Sequence, residues 1–328
     1  MKHTKLMLFC LLLSLCFATA IWQVAEVKLA DTLARLSASV FRHSMQETLL
    51  VDKDGVPHTC IPGVGMAYDP VPVAKEAVRL YKTRIEPARL QGFLQLSERL
   101  EQSLDAQDLI PQLYPLPRAK LIEPWHNAPS QAATMVALAN RAGYLRSPQT
   151  FGKAQKLLFQ LDPENSKLSS VQPEDGIWFW EFGPGEYSLK GMLNTLISLK
   201  EYNKLLGDSL SAKLFSRGVS ALQKRLPELE QKGWLDDRYH YKNKRSEHLE
   251  LVSLLGSLNE LTPDSLFTSK VQELSRKSNQ LVLLQILQRP SVSRIIAFLI
   301  TWLVLFLIAY LSLKPRKHPF PEPEPDSQ

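Results

Sequence analysis

Cysteine is nearly absent. Three of the 328 residues are Cys. Cys10 and Cys16 fall in the apolar first twenty residues, which leaves Cys60 alone in the remainder and excludes an intramolecular disulfide framework there. No Asn-x-Ser/Thr sequon occurs, which weighs against a glycosylated luminal domain and favours a bacterial periplasmic face. The chain has no phosphate-binding glycine loop, dinucleotide fingerprint, nucleophile elbow or metal-ligand spacing, so nucleotide, metal and serine-hydrolase chemistry have no local signature. No basic stripe is concentrated anywhere, and the formal charge of +6 is mild. It permits a polyanionic partner and excludes a nucleic-acid surface. Alternating strand patterns are also scarce.

Helical periods fill the space that strands leave. One apolar stripe runs through Leu29, Leu33, Leu36 and Val40, and a second through Leu90, Phe93, Leu94 and Leu100. Ala132, Met135, Val136 and Ala139 form a third, with Gly143 at the expected cap. Leu189, Met192, Leu193 and Leu196 form a fourth, ended by Gly207. Leu210, Leu214, Ala221 and Leu222 mark a fifth, and Leu251, Leu254, Leu255 and Leu258 a sixth. Spacings of three and four put each set on one helical face. The fold class expected is mainly α, an (α/α) toroid-like helical domain with short strands at the rim, around Gly176–Phe182 and Trp234–Tyr241.

Both ends carry long apolar runs. Lys2 and Lys5 precede Leu6–Ala20, closing on Ala18-Thr19-Ala20, the layout of a secretory signal. Ile295–Leu313 is long enough to cross a hydrocarbon core of about 30 Å as a helix. The organisation expected is therefore a signal peptide at 1–20, an N-terminal helical segment at 21–59 and a main helical domain at 60–263. A juxtamembrane segment at 264–290, a transmembrane helix at 291–314 and a disordered, proline-rich tail at 315–328 complete it. The localisation expected is a single-pass membrane protein, with its main domain periplasmic or extracytoplasmic and its tail cytosolic.

Three tracts concentrate chemistry. Trp178, Trp180, Glu181 and Tyr187 lie within a dozen glycine-rich positions. Flat sugar faces stack on aromatic rings, and carboxylates accept hydroxyl hydrogen bonds. Desolvation of Glu181 between Trp180 and Phe182 would suit it to acid/base work. Trp125, His126, Asn127 and Gln131 offer a stacking surface and several donors at one helix start. Asp236, Arg238, Tyr239 and Tyr241 add a guanidinium able to grip a carboxylate through two parallel bonds. The bland readings are helix-junction packing for the aromatics and a solvated loop for the charges.

These tracts come in a definite order. Tyr68-Asp-Pro-Val…Leu80-Tyr81 is followed by Pro124-Trp125…Gln131, then Glu181-Phe182, then Asp236-x-Arg238, then His248-Leu-x-Leu-x-x-Leu-Leu. Over roughly residues 60–260 the order resembles the helical C-terminal domain of D-glucuronyl C5-epimerases. The resemblance implies a helical toroid, an acidic polysaccharide as partner, no cofactor, and abstraction and return of the proton at C5 of a uronate. It implies Glu181 as base or base-activating carboxylate, Arg238 on the uronate carboxylate, and His126 or Tyr239 as the opposing acid. Trp125, Gln131, Trp178, Trp180, Tyr187, Asp236 and His248 would line the groove. Where the family has tyrosines this chain has Phe182, Leu235 and Lys244. The alternatives are a non-catalytic glycan-binding subunit working with polysaccharide synthesis or export proteins, and a lyase or hydrolase on the same scaffold.

Overall fold

The computed structural model describes residues 2–41, 46–231, 234–235, 244–278 and 292–313. Helix α1 (Lys2–Phe41) leads to a small antiparallel sheet of β1 (Thr48–Val51), β2 (Pro57–Ile61) and β3 (Gly65–Ala67). Then come α2 (Pro70–Lys82), α3 (Pro87–Gln102), α4 (Ala128–Leu145) and α5 (Pro148–Phe159). The hairpin β4 (Ser169–Val171) and β5 (Ile177–Phe179) precedes α6 (Leu189–Leu206) and α7 (Ser209–Leu229). A minimal pair, β6 (Glu230–Gln231) and β7 (Trp234–Leu235), leads to α8 (Lys244–Leu261), α9 (Ser265–Ser278) and α10 (Val292–Leu313). The protein is mainly helical with a few short strands.

Two compact units divide the chain: Met1–Leu29 with Gln280–Gln328, and Ala30–Asn279. In the larger unit the helices form two layers. α2, α4, α6 and α8 pack side by side in chain order, and α3, α5, α7 and α9 each pack behind their hairpin partner. The first four line a hollow of about 400 Å³. The core between the layers is built on Phe93, Met135, Trp178, Tyr202 and Phe267, all fully buried. Gly218 is where α7 comes closest: a Cβ there would lie 2.6 Å from Leu196 and 2.9 Å from Phe179.

Three of the inner helices begin in the same way. Asp69 caps α2 by accepting from the Val71 N–H, Asn127 caps α4 from Ser130, and Ser188 caps α6 from Gly191. A side-chain oxygen at this position satisfies one of the orphan N–H groups of the first turn, worth about 1 kcal/mol. Pro70 and Pro129 sit in the first turns of α2 and α4, where the missing N–H costs nothing. Gly207 ends α6 in the left-handed region as its position suggests. Gly143, by contrast, lies inside α4, which runs on to Leu145 and ends at Arg146 with φ 53°.

The N-terminal reading needs one correction. Residues 48–67, expected as the end of a helical segment and the start of the main domain, form the three-stranded sheet, in register Thr48↔Cys60 and Thr59↔Ala67. The strands are three to five residues long, too short for an alternating pattern to register. Ala18, Thr19 and Ala20 lie within α1.

The membrane reading is overturned. Among the described residues, no helix is long and apolar enough to cross a membrane. The spanning helix at 291–314 and the single-pass placement fall with it, and the expected cytosolic tail lies outside the described residues. In the smaller unit one apolar strip of α10 packs on α1, while Leu299, Ile300, Leu303 and Leu307 stay exposed. Phe298 of α10 and Ala18 of α1 are buried together, with Leu15, Trp22, Trp302 and Leu305 packed around them. Trp22 Nε1 donates to Thr301 Oγ1 at 3.1 Å, and Trp302 Nε1 to the Leu11 carbonyl at 3.4 Å.

Candidate functional site

The starts of the inner helices converge on a cleft of about 260 Å³. Asp69, Val71 and Pro72 reach it from the start of α2, Asn127 and Pro129 from α4, and Lys190 and Asn194 from α6. Glu250 comes from α8. Thr59 and Ile61 come from β2 and Leu49 from β1, with Glu47 just before it. Two connections close the walls: Tyr114, Leu116 and Trp125 between α3 and α4, and Glu181 with Phe182 before α6. Helix starts thus hold Asp69, Asn127 and Lys190, and connections bring the aromatic residues together with Glu47 and Glu181.

The aromatic wall is rigid. Trp125 is 8% exposed, its Nε1 donates to the Tyr114 carbonyl at 2.7 Å, and the two rings meet edge to face with centroids 5.7 Å apart. Phe182 packs beside them with Ile61, Ala67 and Leu116. Burial pushes the Tyr114 phenol well above its ordinary value, and the carboxylates Asp69, Glu47 and Glu181 push it further. Tyr114 therefore stays protonated and is able to donate.

The polar floor is a charge network. Lys190 Nζ lies 3.1 Å from Glu47 Oε1 and 3.6 Å from Glu250 Oε1. Burial works against its charge, but Glu47, Glu250 and Glu181 outweigh it and hold the ammonium well above its usual range. Lys75 Nζ donates to Asn194 Oδ1 at 2.6 Å. Those two residues also line the 400 Å³ hollow, so the cleft and the hollow meet at their hydrogen bond. Ser188 Oγ donates to Glu181 Oε2 while accepting from the Gly191 N–H, which ties Glu181 to the cap of α6.

Asp69 is the group with unusual acidity. Burial raises it to about 6; the Val71 N–H opposes that, Glu47 adds to it, Lys190 opposes it, and Glu181 adds again. Thr59 Oγ1 donates to its second oxygen at 3.3 Å. A carboxyl near 6 exchanges protons readily at neutral pH, and the neighbouring Glu181 carboxylate supplies a second, differently held oxygen pair.

Of the residues singled out in the sequence, Trp125, Asn127, Glu181 and Phe182 line this cleft. Trp178 and Trp180 instead lie in the core, 0% and 4% exposed, both against the Tyr187 ring. Burying a large aromatic on a helix layer stabilises the junction, which is the bland reading of that tract. Tyr187 is held elsewhere: its hydroxyl donates to Gln172 and accepts from Arg225, whose guanidinium lies 3.6 Å over the ring. Gln131 is fully buried and clamps one residue of backbone, accepting from the Ile110 N–H at 2.9 Å and donating to its carbonyl at 2.8 Å. His126 is paired with Asp105 at 2.8 Å outside the cleft wall. His248 is fully buried, with Nε2 3.4 Å from the Leu274 carbonyl. Asp236, Arg238, Tyr239 and Tyr241 lie outside the described residues.

Sequence reasoning passed over Asp69, Tyr114, Glu47, Lys190 and Glu250. Asp69 had a signal: an acidic residue before Pro70 is a helix N-cap, and caps of neighbouring inner helices share one end of the layer. Glu47 and Lys190 had none. Among the described residues, no cluster of His, Cys, Asp and Glu is arranged to hold a metal ion.

No protein-family model matches this chain, and no curated protein matches it. Two solved structures are similar to it. Cellobiose 2-epimerase from Bacillus thermoamylovorans B4167 has 11% identity and a TM-score of 0.45, covering 75% of this chain and 71% of that one. The GH76 α-mannanase of Bacteroides thetaiotaomicron has 11% identity and a TM-score of 0.41, covering 81% and 72%. Neither of these two is a glucuronyl C5-epimerase.

Proposed function

We propose that the cleft binds a saccharide ring and carries out proton transfer on it, on an (α/α) toroid-like scaffold. Asp69 is the proton donor and acceptor, and Glu181 is the carboxylate that works opposite it. Tyr114 donates a hydrogen bond to the oxygen on which charge develops, and Trp125 and Phe182 pack on the apolar face of the ring. One observation carries this reading: a carboxyl poised at about 6 shares a cleft with a second carboxylate and an aromatic wall. Two carboxyl groups held in unlike environments are the common equipment of sugar acid/base chemistry, whether the outcome is epimerisation or hydrolysis.

The narrower form is C5 epimerisation of a uronate inside an acidic polysaccharide. Its support is the order of sequence tracts and the presence of Glu181 and Trp125 in the cleft. It demands in addition a cation for the sugar carboxylate, and the two lysines of the described lining are already engaged, Lys190 by Glu47 and Glu250 and Lys75 by Asn194, which counts against this form. A glycan-holding role without turnover uses the same groove.

Oligosaccharides incubated with the protein in heavy water separate these roles. Deuterium at a ring carbon marks epimerisation, new reducing ends mark hydrolysis, and new unsaturated ends mark a lyase. Asp69→Asn and Glu181→Gln should each abolish turnover and retain binding. Full turnover in both variants would remove the pair from the chemistry. Binding with no turnover in the unaltered protein would leave the holding role.

A further inference from the structure

We infer that the cleft selects an uncharged saccharide over a uronate, a specificity that rests on the sugar-site reading above. The charged side chains facing the cleft, among the described residues, are Glu47, Asp69, Glu181, Glu250, Lys75 and Lys190. Four are acidic and two basic. Lys190 is the deeper cation, and it is shared between Glu47 and Glu250 at 3.1 and 3.6 Å. A sugar carboxylate reaching it would have to enter beside both. Lys75 is engaged by Asn194 at 2.6 Å.

The positive helix ends are occupied as well. An anion could settle on the N–H groups at the start of α2, α4 or α6. At α2 that place is held by Asp69 itself, which accepts from the Val71 N–H at 3.1 Å. At α6, Ser188 takes the Gly191 N–H and passes its own hydrogen to Glu181. At α4 the Asn127 amide oxygen takes the Ser130 N–H at 2.8 Å. Among the described residues, each helix start that would attract a uronate thus already holds an acceptor. What remains on offer is acceptor-rich: ionised carboxylates only accept, and sugar hydroxyls donate. The charge pattern therefore suits a ring bearing hydroxyl groups and repels one bearing a carboxylate.

The test is calorimetric titration of the full chain with cellotriose, mannotriose and maltotriose, and with the triglucuronate and trigalacturonate. The expected result is that at least one neutral trimer binds about tenfold or more tightly than either uronate trimer. Glu250→Gln removes one of the two carboxylates on Lys190, and its folding is checked by its thermal midpoint. In that variant the ratio of uronate affinity to neutral-trimer affinity should rise by roughly threefold or more, and an unchanged ratio counts against the selectivity. A uronate trimer bound as tightly as the neutral ones overturns the selectivity and leaves the sugar site standing. If none of the five binds, both readings fall together.

Discussion

Glu181 occupies the space that a side chain at position 191 would need. A Cβ added to Gly191 would lie 2.6 Å from Glu181 Cβ and 2.7 Å from Oε2. The first turn of α6 and the carboxylate of the cleft are therefore fitted to one another. Alanine is ordinarily preferred to glycine within a helix by about 1 kcal/mol. Here the contact falls on a Cβ that cannot swing aside, so the preference reverses. Gly191→Ala should lose about 1–3 kcal/mol in urea denaturation, the usual range for overpacking. It should also weaken saccharide binding through the displaced carboxylate, which calorimetry would report.

Asp69→Asn should stabilise the protein at neutral pH and silence it. In the folded chain the Asp69 carboxyl is raised to about 6 from an ordinary 3.8, chiefly by burial. The folded state then holds the proton more tightly than the unfolded state. The stability this contributes is present below about pH 4 and is lost as pH rises toward about 6. Asparagine keeps the α2 cap and carries no charge to desolvate. Denaturation midpoints of the two proteins should coincide near pH 4 and diverge by about 1–3 kcal/mol at pH 7, with the variant more stable. Equal stability at both pH values would mean that Asp69 has an ordinary acidity.

Gln131→Leu separates a structural role from a binding one. The side chain makes two hydrogen bonds to Ile110, and both are lost together. Leaving a buried N–H and C=O without their partner should cost about 2–4 kcal/mol. The folded fraction should still bind saccharide as the unaltered protein does, because Gln131 contributes nothing to the cleft wall. A binding defect beyond the loss of folded protein would return Gln131 to the site.

His126→Asn should leave saccharide binding within about twofold of the parent, because its ring is committed to Asp105. Burial works to raise the Asp105 carboxyl, but the Leu109 N–H and the His126 contact outweigh it and hold it below the usual range. Losing the histidine should let that carboxyl rise, measurable by carbon NMR titration. A large loss of turnover with Asp105 unchanged would instead give His126 a catalytic part.

The helices were legible because their signal is local. Phe93 and Leu100 of the α3 stripe and Met192, Leu193 and Leu196 of the α6 stripe are buried where the spacing puts them. The sheet was not, although Asp54-Gly55 turns β1 into β2 as such a pair commonly does. Its strands are too short to show a period, and they are fixed by packing on the start of α2. The aromatic tract at 178–187 divided: Trp178 and Trp180 went to the core, whereas Glu181 and Phe182 went to the cleft. Composition alone could not separate them, because stacking on a sugar and plugging a helix junction ask for the same side chains.

The amino-acid order by itself determined the apolar faces of the helices and the glycine end of α6, since apolar spacing and a terminating glycine act over three or four residues. Only the tertiary structure decided which charges face one another. Glu47 and Lys190 are 143 positions apart, and nothing near either residue names its partner. An ion pair acts through distance in space, so its membership is settled when the sheet and the inner helices close around the cleft.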